Sequence, residues 1–246
     1  MFKDKIVLVT GSSRSLGAQI IKDFAKEGAT VIINYNKSKE QAMTLKEDLE
    51  NNYQKEVLSI KCDITNEEEV QNMANQIVNK YEKIDILINN AGICNDSLFE
   101  DKTKENFLKV LETNVVGTYL VTKYIGKHIK ENGKIINIAS DNGLNNGYPE
   151  SCDYDASKAG VISLTHNMAK FYAPKINVNC ICPGWIDTDM NKDLTQEQKD
   201  EIEKGILLNR FATKEEISNV VLFLSSNKAS YINDSIITVN GGIKSE

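Results

Sequence analysis

The chain is poor in the residues that mark several common function classes. It has two histidines, three prolines and one tryptophan among 246 residues. His128 and His166 fall in helical patterns with no partner at metal-ligand spacing, so no metal site is expected. The five cysteines (Cys62, Cys94, Cys152, Cys180 and Cys182) include no C-x-x-C pair, and an odd number closes no disulfide framework. Reduced, mostly buried thiols are expected, as in a cytoplasmic protein. No apolar run approaches ~18 residues, so no membrane span is expected. The run Ile6–Val9 is too short for a signal peptide and has no small-residue cleavage site after it. Positive charge is in deficit, with a net charge of -6. That argues against nonspecific nucleic-acid binding and against an anionic membrane surface.

There is also no Pro/Ser-rich linker, internal repeat or low-complexity tail. The length and a 41% hydrophobic content suit one α/β domain over residues 1–246. Short apolar strands are expected at Lys5–Thr10, Thr30–Tyr35, Val57–Ile60, Asp85–Asn89, Lys134–Ile138, Ile176–Cys182 and Ile236–Val239. Helical patterns lie between them at Leu16–Glu27, Lys39–Asn51, Glu67–Tyr81, Thr103–Lys130, Tyr154–Tyr172, Asp193–Lys204 and Lys214–Leu224. Strands that are apolar throughout, alternating with helices, predict a doubly wound, Rossmann-type, seven-stranded parallel sheet covered by helices on both faces. Ligands of such a sheet bind at the carboxyl ends of its strands.

Two motifs sit at such strand ends. The first is Thr10-Gly11-Ser12-Ser13-Arg14-Ser15-Leu16-Gly17, a turn between strand one and a helix. Its glycines permit a tight turn and close packing, and the helix N-terminus offers free amides to a phosphate. It is neither G-x-G-x-x-G nor a P-loop. The end of strand two reads Asn34-Tyr35-Asn36-Lys37-Ser38, without the acidic residue that usually binds the ribose hydroxyls of NAD. Arg14, Asn34, Lys37 and Ser38 could instead hold a 2′-phosphate. NADP(H) is the expected cofactor. The second motif is Tyr154-Asp155-Ala156-Ser157-Lys158, which puts a phenol and an ammonium on one helix face. A cation ~4 Å from the phenol at a dielectric of ~20 contributes roughly 4 kcal/mol and could lower its pKa by up to about three units. Such a tyrosine could exchange protons with a ketone or alcohol near neutral pH.

Together these motifs resemble the short-chain dehydrogenase/reductase family. The match extends over Asp63-Ile64, Asn89-Asn90-Ala91-Gly92, Asn114, Ser140, Tyr154-x-x-x-Lys158 and Pro183-Gly184-x-Ile186-x-Thr188. Ser15 departs from it, since the family usually has glycine there, and a positive φ would strain the loop. The resemblance implies a catalytic tetrad of Asn114, Ser140, Tyr154 and Lys158. It implies dinucleotide contacts from Gly11, Ser13, Arg14, Ser15, Leu16, Gly17, Asn34, Tyr35, Asn36 and Ser38. Asp63 and Ile64 are implied as the adenine clamp, and Asn90, Ala91 and Gly92 lie along the cofactor. Pro183, Gly184, Ile186 and Thr188 are implied near the nicotinamide, besides Tyr154 and Lys158.

The chain looks most like the 3-oxoacyl-acyl-carrier-protein reductases, which implies a 3-oxoacyl thioester substrate and an acyl carrier protein as partner. Glu131 stands where a basic docking residue is common, although Lys130, Lys134 and Lys175 are close, and Asp141–Asp153 is rich in Asn and acidic residues. A related dehydrogenase of a small alcohol, sugar or hydroxysteroid is the alternative. Trp185 is a candidate lip of the pocket, and 185–209 reads as a substrate lid. The resemblance further implies a homotetramer, with the helices before Lys134 and over Tyr154–Tyr172 as dimerisation elements.

Overall fold

A computed structural model describes residues 1–144, 147–192 and 194–243. Asn145 and Asn146 of the Asn-rich segment, Asp193 at the head of a predicted helix and the terminal positions 244–246 lie outside the described residues.

The strands are β1 (Ile6–Val9), β2 (Thr30–Tyr35), β3 (Leu58–Lys61), β4 (Ile84–Asn89), β5 (Ile129–Ile138), β6 (Ile176–Pro183) and β7 (Ile236–Val239). They form one sheet in the order β3-β2-β1-β4-β5-β6-β7. Every pairing is parallel. The chain winds outward from β1 to β3, returns to β4 beside β1, and winds out the other way. The crevice for a ligand therefore opens between β1 and β4.

The helices are α1 (Ser15–Lys26), α2 (Lys39–Tyr53), α3 (Glu67–Tyr81), α4 (Lys104–Leu111), α5 (Thr118–Ile125), α6 (Cys152–Tyr172), α7 (Gln196–Lys204) and α8 (Lys214–Ser225). Strand periodicity divides the core. Val7 and Val9 point toward α1, α2 and α8, while Leu8 between them points toward α3, α5 and α6. All three have 0% exposure, and burying each contributes about 1.5–3 kcal/mol. Side-chain caps start four of the helices. Asn66, Thr103, Thr195 and Thr213 each accept the N–H three residues on, and Thr195 and Thr213 complete reciprocal capping boxes.

Two predicted elements differ. The helical pattern over Thr103–Lys130 breaks into α4, a wide π turn at Glu112–Gly117, α5 and a short turn at Gly126–His128. Ile129 and Lys130 belong to β5, because Ile129 pairs with Ile84 and is buried there. The helix expected from Asp193 begins at Gln196, where the Thr195 capping box sets its start.

Candidate active site

The glycine loop is fixed by its neighbours. Gly11 has φ +61°, which glycine adopts without a Cβ clash, and a Cβ there would lie 2.9 Å from the Ala91 Cα. At Gly17 a Cβ would meet the Gly11 carbonyl at 2.5 Å, so only glycine lets α1 approach the loop this closely. Thr10 ties the loop to the turn after β4. Its hydroxyl accepts the N–H groups of Asn90 and Ala91, each at 3.0 Å. The Asn90 amide reaches back to the carbonyls of Thr10 at 3.0 Å and Gly11 at 3.2 Å.

The departure at Ser15 has a structural counterpart, since it adopts φ +53° at the head of α1. Asn34 takes a different task from the phosphate contact expected of its side chain. It is 2% exposed; its carbonyl accepts the Gly11 N–H at 3.0 Å and its amide donates to the Cys62 carbonyl at 3.1 Å. Its side chain is thus spent joining the loop to β2 and β3.

Both carboxylate oxygens of Asp63 are engaged by the protein itself, Oδ1 by Thr65 and Oδ2 by Asn36. Burial opposes its charge, but the Thr65 N–H and hydroxyl, the Asn36 amide and the nearby Lys37 together hold its pKa below the ordinary value. The Asn36 bond measures 2.8 Å.

One cleft of about 850 Å³ gathers these groups. Every residue expected to contact the dinucleotide lines it, from Gly11 to Thr188, together with Ser140 and Lys37. Asn114 stands behind the wall at 1% exposure. Its side chain accepts the Ile93 N–H at 2.8 Å and donates to the Ile93 carbonyl at 2.9 Å and to Ser157 Oγ at 2.8 Å. Ser157 in turn donates to the Tyr154 carbonyl at 2.6 Å. Ser157 is a part of the site that sequence reasoning missed. Its position three residues after Tyr154, on the same helix face, was the available signal.

Tyr154 and Lys158 meet on α6 as their spacing predicts. Lys158 Nζ lies 5.4 Å from the Tyr154 ring centroid and donates to the Ile138 carbonyl at 2.9 Å. Burial pushes the ammonium down to about 8, against the smaller opposing influence of the Cys180, Cys182 and Cys94 sulfurs. The expected depression of the phenol is not what the structure shows. Burial raises Tyr154 above its ordinary value, Cys94 adds to this, and hydrogen bonding with Ser140 opposes it. Nζ lies over the ring, and desolvation is the largest influence on the phenol. Ser140 at the end of β5 also accepts the Asn142 N–H at 3.2 Å.

Beyond β6, Trp185 stacks on Phe211 at 5.6 Å and meets the edge of Tyr148 at 6.3 Å. It packs at the rim and is not among the described residues lining the cleft. Among the described residues no cluster of three or more metal-ligating side chains occurs, and no helix is long and apolar enough to cross a membrane.

This arrangement has relatives across the whole chain. A family model described as Enoyl-(Acyl carrier protein) reductase matches residues 11–244. The 3-oxoacyl-acyl-carrier-protein reductase of Aquifex aeolicus is 40% identical over 242 residues, covering 97% of each chain. That of Chlamydia muridarum is 38% identical over 243 residues, covering 98% of this chain and 97% of the other. The chain belongs to the short-chain dehydrogenase/reductase family.

Solved structures agree with that membership. A dehydrogenase/reductase from Sinorhizobium meliloti superposes with a TM-score of 0.94 at 28% identity, covering 99% of this chain and 96% of the other. A short-chain dehydrogenase from Burkholderia cenocepacia, in complex with NADP, gives a TM-score of 0.93 at 29% identity, covering 98% of each. As a short-chain dehydrogenase/reductase, the protein is an oxidoreductase acting on CH–OH and keto groups.

Proposed function

We propose that the protein is an NADP(H)-dependent ketone reductase whose substrate is a 3-oxoacyl thioester. The observation that carries the reading is one cleft uniting a phosphate-ready glycine loop, an acid-free β2 end and the Ser140, Tyr154 and Lys158 side chains. The names of the most similar relatives supply the substrate class.

The residues present fit the dinucleotide. Gly11 and Gly17 both line the cleft, where a main chain without side chains suits approach to a pyrophosphate. Arg14, Lys37 and Ser38 line the same cleft and would hold a 2′-phosphate. Asp63 and Ile64 line the cleft where they would hold the adenine, as do Pro183, Gly184, Ile186 and Thr188 where they would meet the nicotinamide. When bound, the nicotinamide supplies the hydride to the ketone carbon. Ser140 donates a hydrogen bond to the ketone oxygen as negative charge develops there. Tyr154 gives that oxygen its proton. Tyr154 is a neutral phenol at pH 7 and so carries the proton to be given. Lys158 keeps N–H groups beyond its bond to Ile138, and these would hold the ribose. The Asn114 side chain is committed to Ile93 and Ser157, so a relay water to Lys158 would sit on its main-chain carbonyl, beside the Thr118 hydroxyl.

The cleft and its flanking segment form one catalytic domain, with 185–209 as the lid. Polar α7 within it buries none of its own described residues, which leaves it free to move over a substrate. Leu108, Val116 and Tyr119 on and between α4 and α5, and Phe171 on α6, are exposed apolar groups that fit burial in a homotetramer. Five free thiols suit the reducing cytoplasm.

A specific observation favours a second reading, in which the substrate is a free small carbonyl compound rather than a carrier-borne one. Of the lysines near exposed Glu131, Lys130 pairs with Asp85 at 3.2 Å and Lys134 is buried against Asn177 at 2.5 Å. That leaves exposed Lys175 beside Glu131, and Lys130 sharing Asp85 with Lys5, so only a small surplus of positive charge faces an acidic carrier protein. Initial rates with 3-oxoacyl groups on carrier protein and on pantetheine, beside sugars and hydroxysteroids, separate the readings. Tyr154→Phe is expected to abolish turnover while leaving NADPH binding intact; near-wild-type turnover would refute the assignment.

A further inference from the structure

Two charges that the reaction does not use are shut away beside its centre. The side chains of Lys102 and Asp153 are 3% and 0% exposed, and they meet at 2.9 Å. Lys102 Nζ also donates to the Asn95 carbonyl at 2.7 Å. The same Asp153 Oδ1 accepts the backbone N–H of Tyr154 at 2.9 Å. The second oxygen, Oδ2, is buried with no hydrogen-bond partner among the described residues. Burying two charges is costly, and apolar or neutral groups of the same volume often leave a fold as stable or more so. Stability alone does not account for such a pair. What the pair does fix is a location.

That location is the segment joining β4 to α4. Asn114 clamps its start at Ile93 and is itself bonded to Ser157 of α6. Lys102 holds Asn95 and, through Asp153, the first turn of α6. Between these anchors the Ser97 N–H donates to the Glu150 carbonyl at 3.2 Å. Cys94 and Asn95, which line the cleft with Tyr154, are therefore held from both sides against the helix that carries the phenol.

We propose that Lys102 and Asp153 are a positioning pair that sets the Cys94–Asn95 wall against Tyr154 and so fixes how the acyl end of the substrate meets the proton donor. The proposal rests on the ketone-reductase reading above. Neither residue touches the reacting atoms; each acts through the segment it holds.

The test is the double variant Lys102→Met with Asp153→Asn, which removes both charges at nearly constant volume and keeps an acceptor for the Tyr154 N–H. Wild type and variant are compared by thermal melting, NADPH titration, kinetics on a chain-length series of 3-oxoacyl pantetheine thioesters, and hydrogen–deuterium exchange over residues 93–102. The expected result is unchanged melting and NADPH affinity, with KM raised about tenfold, kcat within about threefold, a flattened chain-length preference and faster exchange over the segment. A folded variant with unchanged KM and unchanged exchange overturns the proposal. If the double variant does not fold, Asp153→Asn alone is read by KM and exchange, with a lowered melting point expected because Lys102 loses its counter-charge; loss of folding in both overturns positioning in favour of a folding role. A wild type that reduces no ketone refutes the activity reading instead, and the exchange comparison then judges the pair on its own.

Discussion

Replacing Lys158 with methionine is expected to give a more stable and inactive protein. The wild-type ammonium is buried at 4% exposure, with its pKa moved from 10.5 to about 8. At about 1.36 kcal/mol for each pKa unit, holding that charge inside costs the fold roughly 3 kcal/mol at pH 7. Methionine has similar length and no charge. It gives up the bond from Nζ to the Ile138 carbonyl, worth about 1 kcal/mol net. The variant is therefore expected to gain about 2 kcal/mol at pH 7, which for a chain of this size is about 5 °C in Tm. The sign follows from proton counting. Between about pH 8 and 10.5 the folded wild type has released a proton that its unfolded chain retains, so wild-type stability rises with pH. The advantage of the variant is present in full below about 8 and gone by about 10.5. Urea unfolding followed by the fluorescence of Trp185, at pH 7 and again near 10.5, measures both arms. A variant less stable than wild type at pH 7, or a difference between the proteins that ignores pH, would refute the reasoning.

Other expectations concern the loop, the clamp and the cofactor. Ser15→Gly relieves a left-handed serine worth about 1–2 kcal/mol but frees the unfolded chain, so a net stabilisation of about 0.5–1 kcal/mol is expected by urea titration. Asn114→Ala strips the buried Ile93 N–H and carbonyl of their partner; about 3 kcal/mol of stability and most of kcat are expected to go, measured by urea unfolding and initial rates. Lys37→Glu is expected to weaken NADPH by about tenfold or more while sparing NADH, with the loss shrinking at high salt; equal effects on both dinucleotides in a titration would remove Lys37 from the 2′-phosphate site.

Much of the architecture was legible because the strands are buried on both faces and read as unbroken apolar runs. Thr30–Tyr35, Glu67–Tyr81 and Ile236–Val239 were placed to the residue. The π turn at Glu112–Gly117 was not, since α4 and α5 share one local periodicity and the break serves a contact made 21 residues away, between Asn114 and Ile93. The residues around the cleft were legible as motifs, but not the direction of the Tyr154 shift. Spacing says that a phenol and an ammonium share a helix face; it does not say that Nζ lies over the ring or that Lys158 is buried there. Asn34 shows the same limit. Its polarity suggested a ligand, yet its partner is the Gly11 N–H, 23 residues back. The Lys102–Asp153 pair joins groups 51 residues apart and left no local sign at all.

The Thr10 hydroxyl joins the two halves of the sheet where they part, accepting from Asn90 and Ala91 while itself reaching the Ile88 carbonyl at 3.4 Å. Both walls of the crevice are thus stitched together by the protein's own bonds. For the dinucleotide proposed above, walls joined in this way would take up little of the binding energy and leave more to be expressed as affinity.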